Sequence, residues 1–305
     1  MVFSDSYLQP DASDPVLAEE VVLAAARRHV PQAGRLLRID ESGGEARAYF
    51  LDGGIVMKTQ RPHRLRPRTS LRKEALFLAE LERQGDFPVP RALGHGEMDG
   101  IEYLCLTELE GVAVKHCALD PKKQAALLGE LGRTLRAIHE IEQSPFAESE
   151  LMPGDRAPVD LKTRVFETFD RLAAALGADE RFAGVIDVRE IARHRLAVTP
   201  ENTLPVALHS NPGPEHTFVD PTSGAFVGLI DFGDAYRSHP AFDLRPWTKA
   251  ADADALLAGY RSAGPLPAGF EDVWRTGLII IELARAARGL RSTEELVTAV
   301  KRLIE

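Results

Sequence analysis

Cysteine is scarce: the chain has two in 305 residues, Cys105 and Cys117, and they lack metal-ligand spacing. No disulfide framework is expected, and the reducing cytoplasm is the fitting compartment. No apolar run approaches the ~20 residues that a membrane span needs. The opening stretch MVFSDSYLQPDASDP lacks a basic segment followed by an apolar one, so no secretory leader is expected. Positive charge is also short, with 37 Lys and Arg against 46 Asp and Glu and a net charge of −9. That balance argues against a nucleic-acid binder. The acid excess falls mostly after residue 106. A solvated acidic exterior is the plainer account, and a surface that favours a cationic substrate is the sharper one. Internal repeats and low-complexity segments are absent. The length suffices for a sizeable core in one large domain or two lobes.

What is present concentrates at residues 208–247. Three polar clusters lie there: His209 to Asn211, Glu215 with His216, and Asp231 to Asp234. Two short apolar runs, Phe218-Val219 and residues 225–230, flank a Pro221-Thr222-Ser223-Gly224 turn and predict a hairpin. Folding about Thr222 and Ser223 sets His216 opposite Leu229. Asp231 then follows roughly 7 Å away at ~3.3 Å per residue. A histidine and a carboxylate meet at the hairpin's open end, where a divalent metal fits.

Upstream, residues 14–30 read as a helix with an acidic start and a basic end. Residues 36–50 read as strand, turn and strand around Ser42-Gly43-Gly44. Glycines there let backbone N–H groups approach a phosphate, although an ordinary hairpin explains them equally well. Asp52-Gly53-Gly54 is a second turn. Lys58 ends the next apolar strand. In the helix predicted over 71–83, Glu74 falls on the stripe of Leu71, Leu78 and Leu81. A carboxylate on a buried face needs a cation, and Lys58 is its natural partner.

The basic segment 61–68 between them is expected to be a mobile solvated loop, with phosphate attraction as the alternative. Residues 101–106 form a strand that leads into Thr107-Glu108-Leu109-Glu110-Gly111. Helices are predicted at 121–142, 159–176, 188–196, 250–262, 270–289 and 293–304. His139 lies beside an apolar stripe and reads as a packed core histidine. Asp155, Asp160, Glu167 and Asp170 are candidate acceptor contacts against a default of solvated helix faces.

The stretch 208–247 resembles the aminoglycoside phosphotransferase family, which has a protein-kinase-like fold. That family carries H-G-D-x-x-x-x-N, a short hairpin and D-F-G. Here the first motif reads His209-Ser210-Asn211-Pro212-Gly213-Pro214-Glu215-His216, and the second is intact as Asp231-Phe232-Gly233. The resemblance implies an α+β bilobal fold: a small, mostly antiparallel β N-lobe with a helix (1–107), and a larger, mainly helical C-lobe (108–305). It implies transfer of the γ-phosphoryl group of ATP or GTP to a hydroxyl of a small antibiotic or metabolite, with Mg²⁺. Lys58 with Glu74 would hold the nucleotide phosphates, and Ser42, Gly43 and Gly44 would cover them. The main chain of Thr107, Glu108 and Leu109 would meet the purine. Asp231 and His216 would hold the metal, and a histidine at position 216 resembles the macrolide phosphotransferase branch. His209, Asn211 and Asp234 belong to the catalytic segment, and Asp243 matches an aspartate that braces it.

Asn211 stands where the family has its catalytic aspartate. An asparagine accepts a hydrogen bond but cannot act as a base near pH 7, a loss of typically ~10²–10⁴-fold. Three accounts stay open: a change introduced to trap a bound state, a natural nucleotide-binding pseudokinase, or substitution by another carboxylate such as Asp234. A metal hydrolase built on His209, His216 and Asp231 is a further rival, which leaves Lys58 and Glu74 unexplained.

Overall fold

The structure is a computed structural model that describes residues 7–201 and 203–304. Residues 1–6, part of the stretch read for a leader, lie outside it. The first helix, α1 (Glu19–Arg27), starts five residues later than expected. Asp14 is used elsewhere: its Oδ2 accepts from Arg47 Nη2 at 2.8 Å and from Arg61 Nη2 at 2.7 Å. This carboxylate clamps the chain before the helix instead of capping it.

Next come β1 (Leu36–Asp40), β2 (Ala46–Leu51), β3 (Ile55–Gln60), α2 (Leu71–Gln84), β4 (Ala92–Met98) and β5 (Ile101–Thr107). The five strands form one antiparallel sheet in the order β1-β2-β3-β5-β4. Alternation along β3 sends Met57 to one face and Lys58 to the other. On the first face, α1 packs against Tyr49, Leu51, Met57, Tyr103 and Cys105. On the second, α2 buries Phe77, Leu78 and Leu81. β4 escaped sequence reading because its ALGHGEM run has weak strand propensity. Its glycines are packing choices, since a Cβ at Gly94 would lie 2.1 Å from the His29 ring.

The segment 61–68 is not the mobile loop that was expected. Arg61 is tied to Asp14 and to the carbonyls of Glu41 and Gly43. Arg66 pairs with Glu45 at 2.9 Å, and the Leu65 carbonyl accepts from Leu8 N–H at 2.8 Å. Carboxylates on the N-terminal segment and beside the glycine turn neutralise this basic run in place.

The remainder is mostly helical. β6 (Val112–Ala113) leads to α3 (Pro121–Glu140), the short α4 (Ser144–Glu148), α5 (Asp160–Gly177) and α6 (Val188–Val198). After β7 (Val206–Leu208), β8 (Thr217–Val219), β9 (Phe226–Leu229) and β10 (Tyr236–Ser238) come α7 (Ala250–Ser262), α8 (Phe270–Ala287) and α9 (Thr293–Ile304). β6, β8 and β9 form one small sheet, and β10 pairs with β7 in another. The hairpin register differs from the expected one. Thr217, not His216, faces Leu229, because Phe218 pairs with Gly228 and Val219 with Phe226. The skipped Val227 is a bulge, which shifts all pairings beyond it by one residue. No helix among the described residues is long and apolar enough to cross a membrane.

The large core runs from α2 through the helical region without a break. Phe77 of α2 carries it across, with ring centroids 4.8 Å from Phe146 and 4.9 Å from Phe232. The sheet and the helices thus share a packed seam, and the cleft opens beside it.

Candidate active site

Lys58 projects from β3 toward α2. Its Nζ donates to Glu74 Oε2 at 2.6 Å and to Asp231 Oδ1 at 2.7 Å. Glu74 is 1% exposed, so it has the partner that its place on the apolar stripe demanded. Its other oxygen accepts from the Phe232 N–H at 3.3 Å. Burial works against the Lys58 ammonium, but Asp231 and Glu74 outweigh it and hold the pKa above the usual lysine value. Burial likewise opposes the charge on Asp231, yet Lys58 and His216 hold that carboxyl well below the usual range. For Glu74 burial dominates, aided by Asp231, and pushes the pKa up. One ammonium between two carboxylates leaves the cluster short of positive charge.

The loop after β7 is held from beneath by Asp243. This fully buried carboxylate accepts from the His209 N–H and the Ser210 N–H, both at 2.7 Å. His139 Nε2 reaches its Oδ2 at 3.0 Å, and His139 Nδ1 reaches the Tyr260 hydroxyl at 3.0 Å. His139 is therefore a core histidine that supports the brace. His209 is buried too. Its Nε2–H donates to the Ile230 carbonyl at 2.9 Å, while its Nδ1 accepts from the Asn211 N–H at 3.3 Å. Burial pulls its pKa down to about 4, so it stays neutral. With both ring nitrogens spent on backbone, His209 holds the loop in place and does not face the cleft.

The backbone is bent sharply at two points, with φ of 85° at Ser210 and 71° at Asp231. Such values are uncommon outside glycine and gather at functional sites. The bend at Asp231 turns its carboxylate back toward His216, whose Nε2 lies 3.2 Å from Asp231 Oδ2. His216 Nδ1 sits 2.9 Å from the Asn211 carbonyl, which can only accept. The Asn211 carbonyl takes a proton on Nδ1, so Nε2 is the ring nitrogen turned toward Asp231 and the one that a metal would use.

Two cavities meet here. The larger, about 700 Å³, is lined by Ser42, Gly43, Gly44, Lys58, Glu74, Thr107, Glu108, Leu109, His216 and Asp231. The second, about 500 Å³, lies between the loop after β7 and α8. Arg66, Asn211, Glu215 and Asp234 line both. Of the residues expected as catalytic, nucleotide-binding or metal-binding, His209 alone stands outside these walls. The acidic residues expected to contact an acceptor do not reach either cavity. Asp155 is buried against Ser238 (2.5 Å) and Arg164 (2.7 Å), and Asp160 accepts the Arg156 and Ala157 N–H groups. Glu167 and Asp170 are exposed on α5.

Other wall residues were not legible. Thr69 donates to Asp234 Oδ1 at 2.6 Å and fixes its orientation. Arg245 and Arg285 line the second cavity, the first from the end of the 208–247 stretch, where it drew no notice, and the second from a segment read only as a helix. Glu215 belonged to a conspicuous polar cluster, which was its one available signal.

The sequence profile of the phosphotransferase enzyme family matches residues 36–279. The chain belongs to this family. The match covers both Lys58 with Glu74 and the loop that ends at Asp231, so it spans the whole cluster described above. No curated protein sequence matches the chain closely enough to count as a relative. Among solved structures, macrolide 2'-phosphotransferase MphH from Brachybacterium faecium is 21% identical, with a TM-score of 0.61 over 93% of this chain and 98% of that one. The GDP complex of wild-type aminoglycoside 2'-phosphotransferase-IIIa is 17% identical, with a TM-score of 0.61 over 94% and 98%. The streptomycin–ATP–APH(2'')-IIa ternary complex is 17% identical, with a TM-score of 0.57 over 95% and 97%. At these identities the likeness is one of fold, and the fold is the α+β kinase-like one expected. Family membership adds the reaction class, that of a small-molecule kinase.

Proposed function

We propose that this phosphotransferase moves the γ-phosphoryl group of ATP or GTP to a hydroxyl of a small molecule, at a rate held down by Asn211. The reading rests on one observation: two cavities meet at Asn211 and Asp234, and Lys58, Glu74 and Asp231 form a charged cluster on the wall of the larger. A nucleotide in the larger cavity would present its terminal phosphate to an acceptor in the smaller. Lys58 would exchange Asp231 for phosphate oxygens and keep Glu74. The Gly43 and Gly44 backbone would cover the phosphates. Thr107 N–H and Glu108 N–H already donate, to Arg91 O at 3.0 Å and Gly54 O at 2.7 Å. Leu109, whose backbone has no hydrogen-bond partner among the described residues, is left for the purine edge.

The residues present fit a nucleotide-borne Mg²⁺. No group of three or more His, Cys, Asp or Glu among the described residues forms a standing metal centre. Mg²⁺ at such sites takes one or two protein ligands and completes its shell with phosphates and water. Asp231 and the His216 Nε2 lone pair supply two. The ion would neutralise charge on the transferring phosphoryl group.

Proton removal is the weak point. Asn211 cannot take the acceptor's proton, and Asp234, oriented by Thr69 and lining both cavities, is the carboxylate best placed to do so. Restoring the base by Asn211→Asp should raise acceptor-dependent release of nucleoside diphosphate by about 10²–10⁴-fold. Tight Mg²⁺–nucleotide binding with no turnover in that variant, across a broad acceptor panel, would mark a pseudokinase instead. We place the lobe division after Thr107 and the protein in the cytoplasm, in keeping with its two free cysteines.

A further inference from the structure

The second cavity has an unusual wall for a protein of net charge −9. Four arginines line it, Arg66, Arg245, Arg285 and Arg288, against two carboxylates, Glu215 and Asp234. Some of these arginines are already engaged. Arg66 pairs with Glu45 at 2.9 Å, though its buried Nε has no partner. Arg285 contacts Glu282 at 3.2 Å and the Thr248 hydroxyl. Arg245 differs. It is 6% exposed, and among the described residues its guanidinium has no hydrogen bond or ion pair. Its guanidinium carbon lies 5.3 Å from the centroid of the Phe242 ring.

A buried, always-charged guanidinium without an anion carries a desolvation cost that a single ring contact offsets only in part. Its planar fork matches a carboxylate or a phosphate. Resting on the phosphotransferase reading above, we propose that the acceptor is an anionic hydroxy compound, whose carboxylate or phosphate group is bound by Arg245 in the second cavity. Arg285 adds positive charge along the same wall. Glu215 and Asp234 lie on the side shared with the nucleotide cavity, where the acceptor hydroxyl has to sit. The hydroxyl oxygen forms its bond to the γ-phosphorus as the bond to the diphosphate oxygen breaks. The nucleoside diphosphate leaves with that electron pair, and the hydroxyl proton passes to Asp234. A polycationic acceptor such as an aminoglycoside would meet four arginines here.

The test is calorimetry on the full chain with matched pairs: glycerate against glycerol, gluconate against glucose, and glucose 6-phosphate against glucose. Each anionic member should bind at least about ten-fold more tightly than its neutral twin. The carboxylate and phosphate arms tell the two anions apart. Arg245→Gln should abolish the preference while leaving Mg²⁺–ATP affinity within about two-fold, because Arg245 lines only the second cavity. Arg245→Lys keeps charge without the fork and should fall between the two. Should Arg245→Gln not fold, the wild-type preference must still weaken steeply as salt is raised. Equal or tighter binding of neutral or cationic members overturns the inference, as does a preference that survives Arg245→Gln or no binding of any anionic member. The phosphotransferase reading fails separately, through absent nucleotide binding.

Discussion

Lys58 does two jobs that mutation can separate. Its ammonium compensates the buried Glu74 carboxylate, and under the proposed function it would also hold the nucleotide phosphates. Removing one partner of a buried pair costs about 3–5 kcal/mol, because the other charge is left uncompensated. Lys58→Met should therefore lower the denaturation midpoint as well as nucleotide affinity. Lys58→Met with Glu74→Gln should recover much of the stability and none of the nucleotide binding, which denaturant titration and calorimetry read independently. Ser210 is the second residue-scale case. Its φ of 85° costs a non-glycine residue about 1–2 kcal/mol, partly offset by the extra unfolded-state freedom of glycine. Ser210→Gly should stabilise by roughly 0.5–1 kcal/mol, a rise of about 1–3 °C in Tm.

At the scale of elements, the loop after β7 hangs from one carboxylate on the turn before α7. Asp243→Ala would leave the His209 and Ser210 N–H groups without their acceptor. Each unsatisfied buried group costs about 1–3 kcal/mol, so a loss of at least ~2 kcal/mol is expected with turnover falling further. Hydrogen exchange should show the 209–211 amides opening before the rest of the core. The same elements show what the sequence disclosed. Helices with long apolar stripes, such as α2 and α3, were legible to within a few residues because burial enforces their period. The Lys58–Glu74 pair was legible because a glutamate on an apolar stripe needs a reason. The bulge at Val227 and the strand β4 were not, for local reasons, a residue skipped within a short hairpin and a run of weak strand propensity; nor was the clamp at Asp14, whose partners Arg47 and Arg61 are distant in sequence. The arginines of the second cavity were hidden for the same reason: chain order does not show that residues 245 and 285 face residue 66.

For the molecule as a whole, buried histidines set an acid limit. His239 is 2% exposed and its Nε2 lacks a partner. Burial, with a contribution from His139, pushes its pKa from 6.5 down to about 3. A folded value below the unfolded one means that stability is intact above pH 6.5 and drains as pH falls toward 3, while the unfolded chain takes up the proton. The slope is about 1.4 kcal/mol per pH unit per histidine within that window. His209 adds its own loss between pH 6.5 and about 4. Denaturant midpoints measured from pH 7 to 4 should decline, and less steeply in His239→Asn, whose side chain can still accept from the Ala241 N–H.

The two cavities share a wall made of Arg66, Asn211, Glu215 and Asp234. A ligand that moves any of these side chains in one chamber alters the other. Thermodynamic linkage then requires reciprocity: whatever factor the nucleotide applies to acceptor affinity, the acceptor applies to nucleotide affinity. The unknown acceptor therefore leaves a trace that can be followed without watching chemistry at all. A compound that shifts the nucleotide's binding curve, and loses that effect when Arg245 on the smaller cavity's wall is replaced, is a ligand of the smaller one.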